Sequence, residues 1–261
     1  MIRVIVTGAA GKMGREVVKA VTAENDMLVV AAVDPAAAGT PLDNGNGESI
    51  LIQAGLGDAI ANSNADVLVD FTHPTVVESN LRVALKAGVH CVVGTTGLDT
   101  RTLEALAASA PEGTCLFVAP NFAIGAVLMM RFAAEAARYM PHVEIIELHH
   151  DRKADAPSGT ALRTAGLIAA TRREVPPAPG RETEIAEGAR GALVDDVTIH
   201  SVRLPGLVAH QEVLFGGQGQ TLSLRHDSID RTSFMPGVVL AVREVGGHSG
   251  LVVGLEYLMG E

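Results

Sequence analysis

A short apolar run, IRVIVT, meets a glycine turn, GAAGKMG at Gly8 to Gly14. The turn opens an amphipathic stretch that leads to a second apolar run, MLVVAAV, closed by Asp34. Few folds accept that order. A strand that feeds a helix through a tight turn and returns as a neighbouring strand is a βαβ unit, and it demands a parallel sheet with helices packed on its faces. The rhythm continues, with strand patterns at 2–6, 27–33, 67–71, 89–93 and 116–119 and helical patterns at 12–23, 75–87 and 100–108. Such alternation predicts an α/β domain with a Rossmann-type doubly wound parallel sheet.

In that context the glycines have a physical task. They let the backbone turn tightly and bring the segment Gly8, Ala9, Ala10, Gly11, Lys12 and Met13 against an anion at a helix N-terminus, which is how a pyrophosphate is held. The spacing is GxxGxxG, not GxGxxG, so the turn alone also fits a βα connection that binds nothing. Asp34 shifts the balance towards a dinucleotide, because it stands about twenty residues beyond the last glycine, where a carboxylate accepts from ribose hydroxyls. Pro35 and Ala36 follow it and offer no arginine to a 2'-phosphate, which favours NADH; Lys12 leaves NADPH open. Two further strand ends, GTTG at 94–97 and APNF at 119–122, carry the small and polar residues that a nicotinamide ring and its carboxamide need. Gly94, Thr95, Thr96, Ala119, Pro120, Asn121 and Phe122 are therefore candidate cofactor contacts, although Gly, Pro and Asn are also common turn formers. His73, in FTHP, reads as part of a strand-end turn.

After Asn121 the rhythm changes. A helical pattern at 123–140 leads to a strand pattern at 143–148, and another helix follows at 160–171. The stretch from Glu174 to Ala192, rich in Pro, Gly and charge, is expected to be a mobile surface loop. Alternating runs at 197–204, 207–215 and 220–226 read as antiparallel strands in a sheet without crossover helices. A second, α+β domain with a mostly antiparallel sheet is thus expected to begin near Ala123. The helical pattern at 234–245 has no evident partner in it, and the run at 250–258 fits either domain.

With 48% hydrophobic residues in 261, the chain can bury a sizeable core, and its formal charge of -10 argues against a nucleic-acid partner, which needs lysine and arginine against phosphates. Any anion must be held locally. Cys91 and Cys115 sit in apolar runs and read as buried reduced thiols, which fits a cytoplasmic protein. The first residues enter a strand pattern directly, so no secretory signal is expected, and no apolar run has the length of a membrane span.

The densest polar stretch is ELHHDRKADAPSGTAL, residues 147–162. Ser158 is placed to cap a helix whose first turn contains Gly159 and Thr160, so backbone amides point at whatever lies in front, and a substrate carboxylate suits them. His149, His150 and Lys153 lie just upstream. Histidine passes protons near neutrality, and lysine brings a positive charge and a proton to a developing carbanion or imine. Zinc is the competing reading, through the two histidines with Asp151 or Asp155. Adjacent histidines on a strand point to opposite faces, however, and no distant His or Cys pair completes the set, so no metal is expected. Asp151, Arg152 and Asp155 receive no role beyond orienting the cluster or facing solvent.

GAAGKMG, DFTHP, VVGTTG, APNFAIG and above all HHDRKADAPSGTA resemble, in the same order and nearly end to end, the 4-hydroxy-tetrahydrodipicolinate reductase (dihydrodipicolinate reductase) family. LPGLVAHQEVLFGG and SFMPGV also look like family segments. The resemblance implies His149 as catalytic proton donor or acceptor, Lys153 as proton donor, and His150, Gly159 and Thr160 as contacts to a small dianionic cyclic substrate. It implies NADH or NADPH along Gly8 to Met13, with Asp34 at the ribose, Gly94 to Thr96 on the nicotinamide side and Ala119 to Phe122 closing the pocket. It further implies that residues 1–122 and 232–261 form the dinucleotide domain, and 123–231 a substrate domain whose sheet assembles a homotetramer. Where some relatives carry an arginine after the ribose acid this chain has Pro35, so dual use of the two cofactors is not implied here.

Overall fold

The structure, a computed structural model, describes residues 1–44, 49–175 and 183–260. The chain divides into two compact units, one of residues 1–122 and 231–261, the other of residues 123–230.

The first unit begins β1 (Ile2–Thr7), α1 (Lys12–Thr22), β2 (Met27–Val33). A small hairpin of β3 (Pro41–Asp43) and β4 (Ser49–Leu51) follows, then α2 (Leu56–Ser63), β5 (Val67–Asp70), α3 (Pro74–Lys86), β6 (His90–Val93), α4 (Thr100–Ala108) and β7 (Cys115–Val118). In the second unit come α5 (Ile124–Ala137), β8 (His142–His149), α6 (Gly159–Thr171), β9 (Ala192–Val194), β10 (Val197–Arg203), β11 (Ala209–Gly217) and β12 (Gln220–Ser228). The chain then rejoins the first unit with α7 (Met235–Glu244) and β13 (Gly250–Val253).

Six strands make an all-parallel sheet in the order β13-β7-β6-β5-β1-β2. Because side chains alternate along a strand, Ile5, Leu68, Cys91 and Leu116 join α2, α3 and α4 in one core through Leu56, Val77, Leu81, Leu103 and Leu106. Val4, Val6, Val69, Val92 and Phe117 are just as buried on the other face, where α1 and α7 pack. Both faces are therefore apolar, as a doubly wound sheet requires. The order of strands reverses about β1, whose neighbours are β2 and β5, and the ends of these strands are where such sheets hold ligands. The run at 250–258, ambiguous in sequence, supplies β13 at the sheet edge. The hairpin β3–β4 and the helix α2 lie between residues 33 and 67, a span for which the sequence predicts no strand or helix. Cys91 and Cys115 are free and buried, and burial pushes the Cys115 thiol up to about 11, so it stays protonated and unreactive.

The second unit holds a five-stranded sheet in the order β12-β11-β8-β10-β9, with α5 and α6 against it. Ile145, Val197, Ile199, Val213 and Phe215 fill its core. The sheet is mostly antiparallel, but one expectation is corrected: β10 runs parallel to β8, and α6 lies between them in sequence as a crossover. Apolar alternation reports which face of a strand is buried and carries no information on strand direction, so the parallel pair was invisible in the pattern. Of the expected loop at 174–192, residues 176–182 lie outside the described residues, and Ala192 is the first residue of β9. Among the described residues no helix is long and apolar enough to cross a membrane.

Candidate active site

The glycine turn sits where β1 ends. Gly8 adopts φ +70, and a Cβ there would lie 2.7 Å from the Phe71 carbonyl oxygen; at Gly14 a Cβ would lie 2.0 Å from the Gly8 carbonyl oxygen. Both positions exclude a side chain, for conformational and for packing reasons respectively. Gly11 at the N-cap of α1 has no side chain to cap it, which leaves the start of the helix suited to an incoming phosphate. Asp34 is tied to the same turn. Its Oδ2 accepts from the Ala10 amide and its Oδ1 from the Ala36 amide, both at 3.1 Å. The carboxylate thus braces the loop, and its remaining lone pairs can still accept from a ribose. Lys12 is exposed.

The other strand ends meet in a network that the sequence reading missed. Asp70, fully buried at the end of β5, accepts from Thr7 Oγ1 (2.8 Å), the Thr72 hydroxyl (2.7 Å) and amide (3.1 Å), Asn80 Nδ2 (2.9 Å) and Thr95 Oγ1 (2.8 Å). Five donors around one buried carboxylate lock the ends of β1, β5 and β6 together. Thr95 is consequently turned inward, whereas Thr96 is exposed. Gly94 has no room for a Cβ, which would fall 2.0 Å from the Phe71 ring. That ring stacks at a tilt on Phe122, 5.6 Å between centroids, and Phe122 also meets Phe117 edge-on. Ala119 and Phe122 are buried, Pro120 is exposed and Asn121 is half-buried. Gly237 of α7 approaches so closely that a Cβ would lie 2.0 Å from the Phe122 carbonyl oxygen. These residues fit a dinucleotide: a helix N-terminus with glycine at its cap, a turn whose glycines at 8 and 14 admit no side chain, and a braced acid at the end of the second strand. His73 caps α3 by accepting from the Thr75 amide.

In the second unit the cluster is built around Glu147, which is 0% exposed. His149 Nδ1 lies 2.5 Å from Glu147 Oε2, and Arg203 donates to both carboxylate oxygens at 2.9 and 2.8 Å. The Ser158 amide adds a fourth bond to Oε1 at 3.2 Å. Burial pushes the Glu147 carboxyl up, but Arg203, Ser201 and His149 outweigh it and hold it below its ordinary value. Burial pulls His149 below its ordinary value, opposed by Glu147 and assisted by the positive charges of Lys153 and Arg203. Lys153 Nζ donates to both oxygens of the Asp155 carboxylate at 2.8 Å, and that contact holds Asp155 below its usual range.

Ser158 caps α6 by accepting from the Ala161 amide at 3.2 Å. Gly159 is exposed, and a Cβ there would meet nothing within 4 Å among the described residues. The Thr160 carbonyl accepts from Thr164 Oγ1, which in turn receives Gln211 Nε2, fixing this first turn to β11. His150 stands just past β8, and its Nδ1 is a buried polar atom without a partner among the described residues, a group a polar ligand would satisfy. No group of three or more His, Cys, Asp or Glu gathers for a metal among the described residues. Glu147 and Arg203 are the functional candidates sequence reasoning missed. The signal for Glu147 was its spacing, since residues two apart on a strand share a face.

A glycine cradle at the reversal of a parallel sheet, together with a separate unit bearing proton-handling groups beside a capped helix, defines a pyridine-nucleotide-dependent oxidoreductase of Rossmann type. Family models described as "Dihydrodipicolinate reductase, N-terminus" and "Dihydrodipicolinate reductase, C-terminus" match residues 2–122 and 125–259. The chain belongs to the dihydrodipicolinate reductase family. It is 52% identical to the 4-hydroxy-tetrahydrodipicolinate reductase of Syntrophomonas wolfei subsp. wolfei over 98% of both chains, and 52% identical to that of Mycobacterium sp. (strain KMS) over 99% of both. Among solved structures, the dipicolinate-bound dihydrodipicolinate reductase of Paenisporosarcina sp. TG-14 matches with a TM-score of 0.87 at 44% identity, covering 99% of this chain and 100% of that one. An amine dehydrogenase from Mycobacterium smegmatis, at TM-score 0.65 and 14% identity over 96% of this chain and 94% of that one, shares the fold.

Proposed function

We propose that this chain reduces 4-hydroxy-tetrahydrodipicolinate, or its dehydrated dihydrodipicolinate form, to tetrahydrodipicolinate in the diaminopimelate route to lysine. The observation that carries the reading is the His149–Lys153 cluster set beside the capped start of α6, in a chain related end to end to reductases of that name. A dipicolinate ligand in the related solved structure supports a substrate with two carboxylates. In this reading residues 1–122 and 231–260 hold the cofactor and residues 123–230 the substrate.

A reduced nicotinamide, when bound, supplies a hydride to the unsaturated ring. The chain's own groups handle the rest. The Gly159 and Thr160 amides and His150 hold carboxylate charge, which an acidic protein of net charge -10 must offset locally. Hydride addition leaves electron density on the adjacent carbon, and Lys153 delivers the proton that quenches it, with His149 orienting or exchanging protons at its free nitrogen. In the first unit Gly8, Ala9, Ala10, Gly11, Lys12 and Met13 take the pyrophosphate, Asp34 the ribose, and the segments 94–96 and 119–122 the nicotinamide end.

NADH is the preferred cofactor in this reading, because Pro35 and Ala36 put no cation beside the Asp34 carboxylate, which would repel a 2'-phosphate. Purified protein should therefore turn over the cyclic substrate and bind NADH more tightly than NADPH in fluorescence titrations. No turnover with either cofactor would overturn the assignment; tighter NADPH binding would overturn only the preference. Buried free thiols fit a cytoplasmic enzyme. The sheet face bearing half-buried Ile146, Leu148, Val202 and Leu214 supports assembly into a homotetramer through this unit. Sedimentation velocity should give the tetramer mass, and a monomer at micromolar concentration would refute it.

A further inference from the structure

Glu147 and Arg203 belong to neither the cofactor cradle nor the substrate contacts proposed above. An ion pair this buried adds little to stability compared with apolar residues of the same size, so its presence calls for another reason. Its geometry supplies one. Glu147 and His149 lie two apart on β8 and share a face, while Arg203 stands opposite His149 in register on β10. The carboxylate spends both oxygens on Arg203, one on the Ser158 amide and one on His149 Nδ1.

We infer that Glu147, clamped by Arg203, is a positioning residue that fixes His149 with its proton on Nδ1 and leaves Nε2 as the working nitrogen. An ionised carboxylate can only accept, so the nitrogen facing it must donate. Arg203 keeps that carboxylate ionised despite its burial. A neutral imidazole protonated at Nδ1 has its lone pair on Nε2. The same guanidinium reaches further: Arg203 Nη2 donates to the Asp155 carbonyl at 2.6 Å, and the Asp155 carboxylate holds Lys153. One side chain thereby braces both proton-handling groups. The charges facing His149 are Glu147 on its own strand, Arg203 on β10 and Lys153 on the following loop.

This inference rests on the reading of His149 as part of the active site, but its deciding measurement, the tautomer, does not need turnover. In histidine-¹⁵N-labelled protein, long-range ¹H–¹⁵N correlation assigns the His149 tautomer, identified by the signal missing from His149→Gln. The expected result is the Nδ1–H form in the neutral range. In Glu147→Gln the acidic limb of the kcat/KM profile should move to lower pH, because the carboxylate that favours imidazolium is gone; a merely structural loss would lower the rate without moving the limb. That single change strands the Arg203 charge and risks unfolding. The pair Glu147→Gln with Arg203→Met removes both charges, and should fold, lose the single tautomer and lower kcat on the order of 10²-fold. An Nε2–H tautomer in the parent, or an unchanged tautomer in the folded double variant, would overturn the inference. A parent-like rate in His149→Gln would instead sink the catalytic reading and leave the tautomer result to be judged by itself.

Discussion

Lys153→Ala should lower kcat with the cyclic substrate by about 10²- to 10⁴-fold, the range over which a positioned general acid contributes. The ammonium is the group in the cluster that arrives carrying a proton, held by both oxygens of Asp155. His149, drawn below its ordinary value by burial, is neutral near pH 7 and is the poorer donor there. The loss should be catalytic, with the fold intact. The Lys153–Asp155 pair sits at the surface, with Asp155 65% exposed, and surface ion pairs contribute about 0–1 kcal/mol. Steady-state kinetics beside a thermal melt separates the two, and the companion variant His149→Gln tests the second group. Rates within a few-fold of the parent for both variants would remove the assigned roles.

Gly14→Ala should be among the most damaging single methyl groups in the first unit. Its Cβ would lie 2.0 Å from the Gly8 carbonyl oxygen and 2.8 Å from the Ala9 Cα, both backbone atoms that cannot swing aside. Nor can Gly8 retreat, because it already approaches the Phe71 carbonyl, so α1 must lift off the turn. Overpacking of this kind costs about 3 kcal/mol. It also displaces the helix N-terminus proposed to hold the pyrophosphate, so NADH affinity should fall at least about 100-fold, since each 1.4 kcal/mol is tenfold. Thermal melting and NADH titration read the two effects. A variant that melts and binds like the parent would show that the turn has slack the geometry denies.

Why some of this was legible in the sequence and some not follows from distance along the chain. The glycine turn, Asp34 and the Ser158 cap announce themselves because each acts within one turn or one βαβ unit, where spacing fixes geometry. The alternation of strands and helices gave the parallel sheet for the same reason. Glu147 carried only a local hint, its two-residue spacing from His149: its partner Arg203 is 56 residues away, and only the parallel pairing of β8 with β10 brings them together. That pairing was itself hidden, since alternation marks a face and not a direction. Asp70 appeared only as a letter in DFTHP; its donors Thr7, Asn80 and Thr95 come from three separate segments. The hairpin β3–β4 offers three residues per strand, too few for periodicity to speak.

The return of residues 231–260 to the first unit sets an order of events on the ribosome. Residues 123–230 are contiguous and are synthesised whole before α7 and β13 exist. Until those last segments emerge, β7 keeps an unpaired edge, the Phe122 carbonyl lacks the glycine face of α7, and Arg243 has not reached Glu24 and Asp26. An open parallel edge is an aggregation hazard. The unit begun first is thus the unit finished last, and the nascent chain carries it incomplete while the unit of residues 123–230 is already whole.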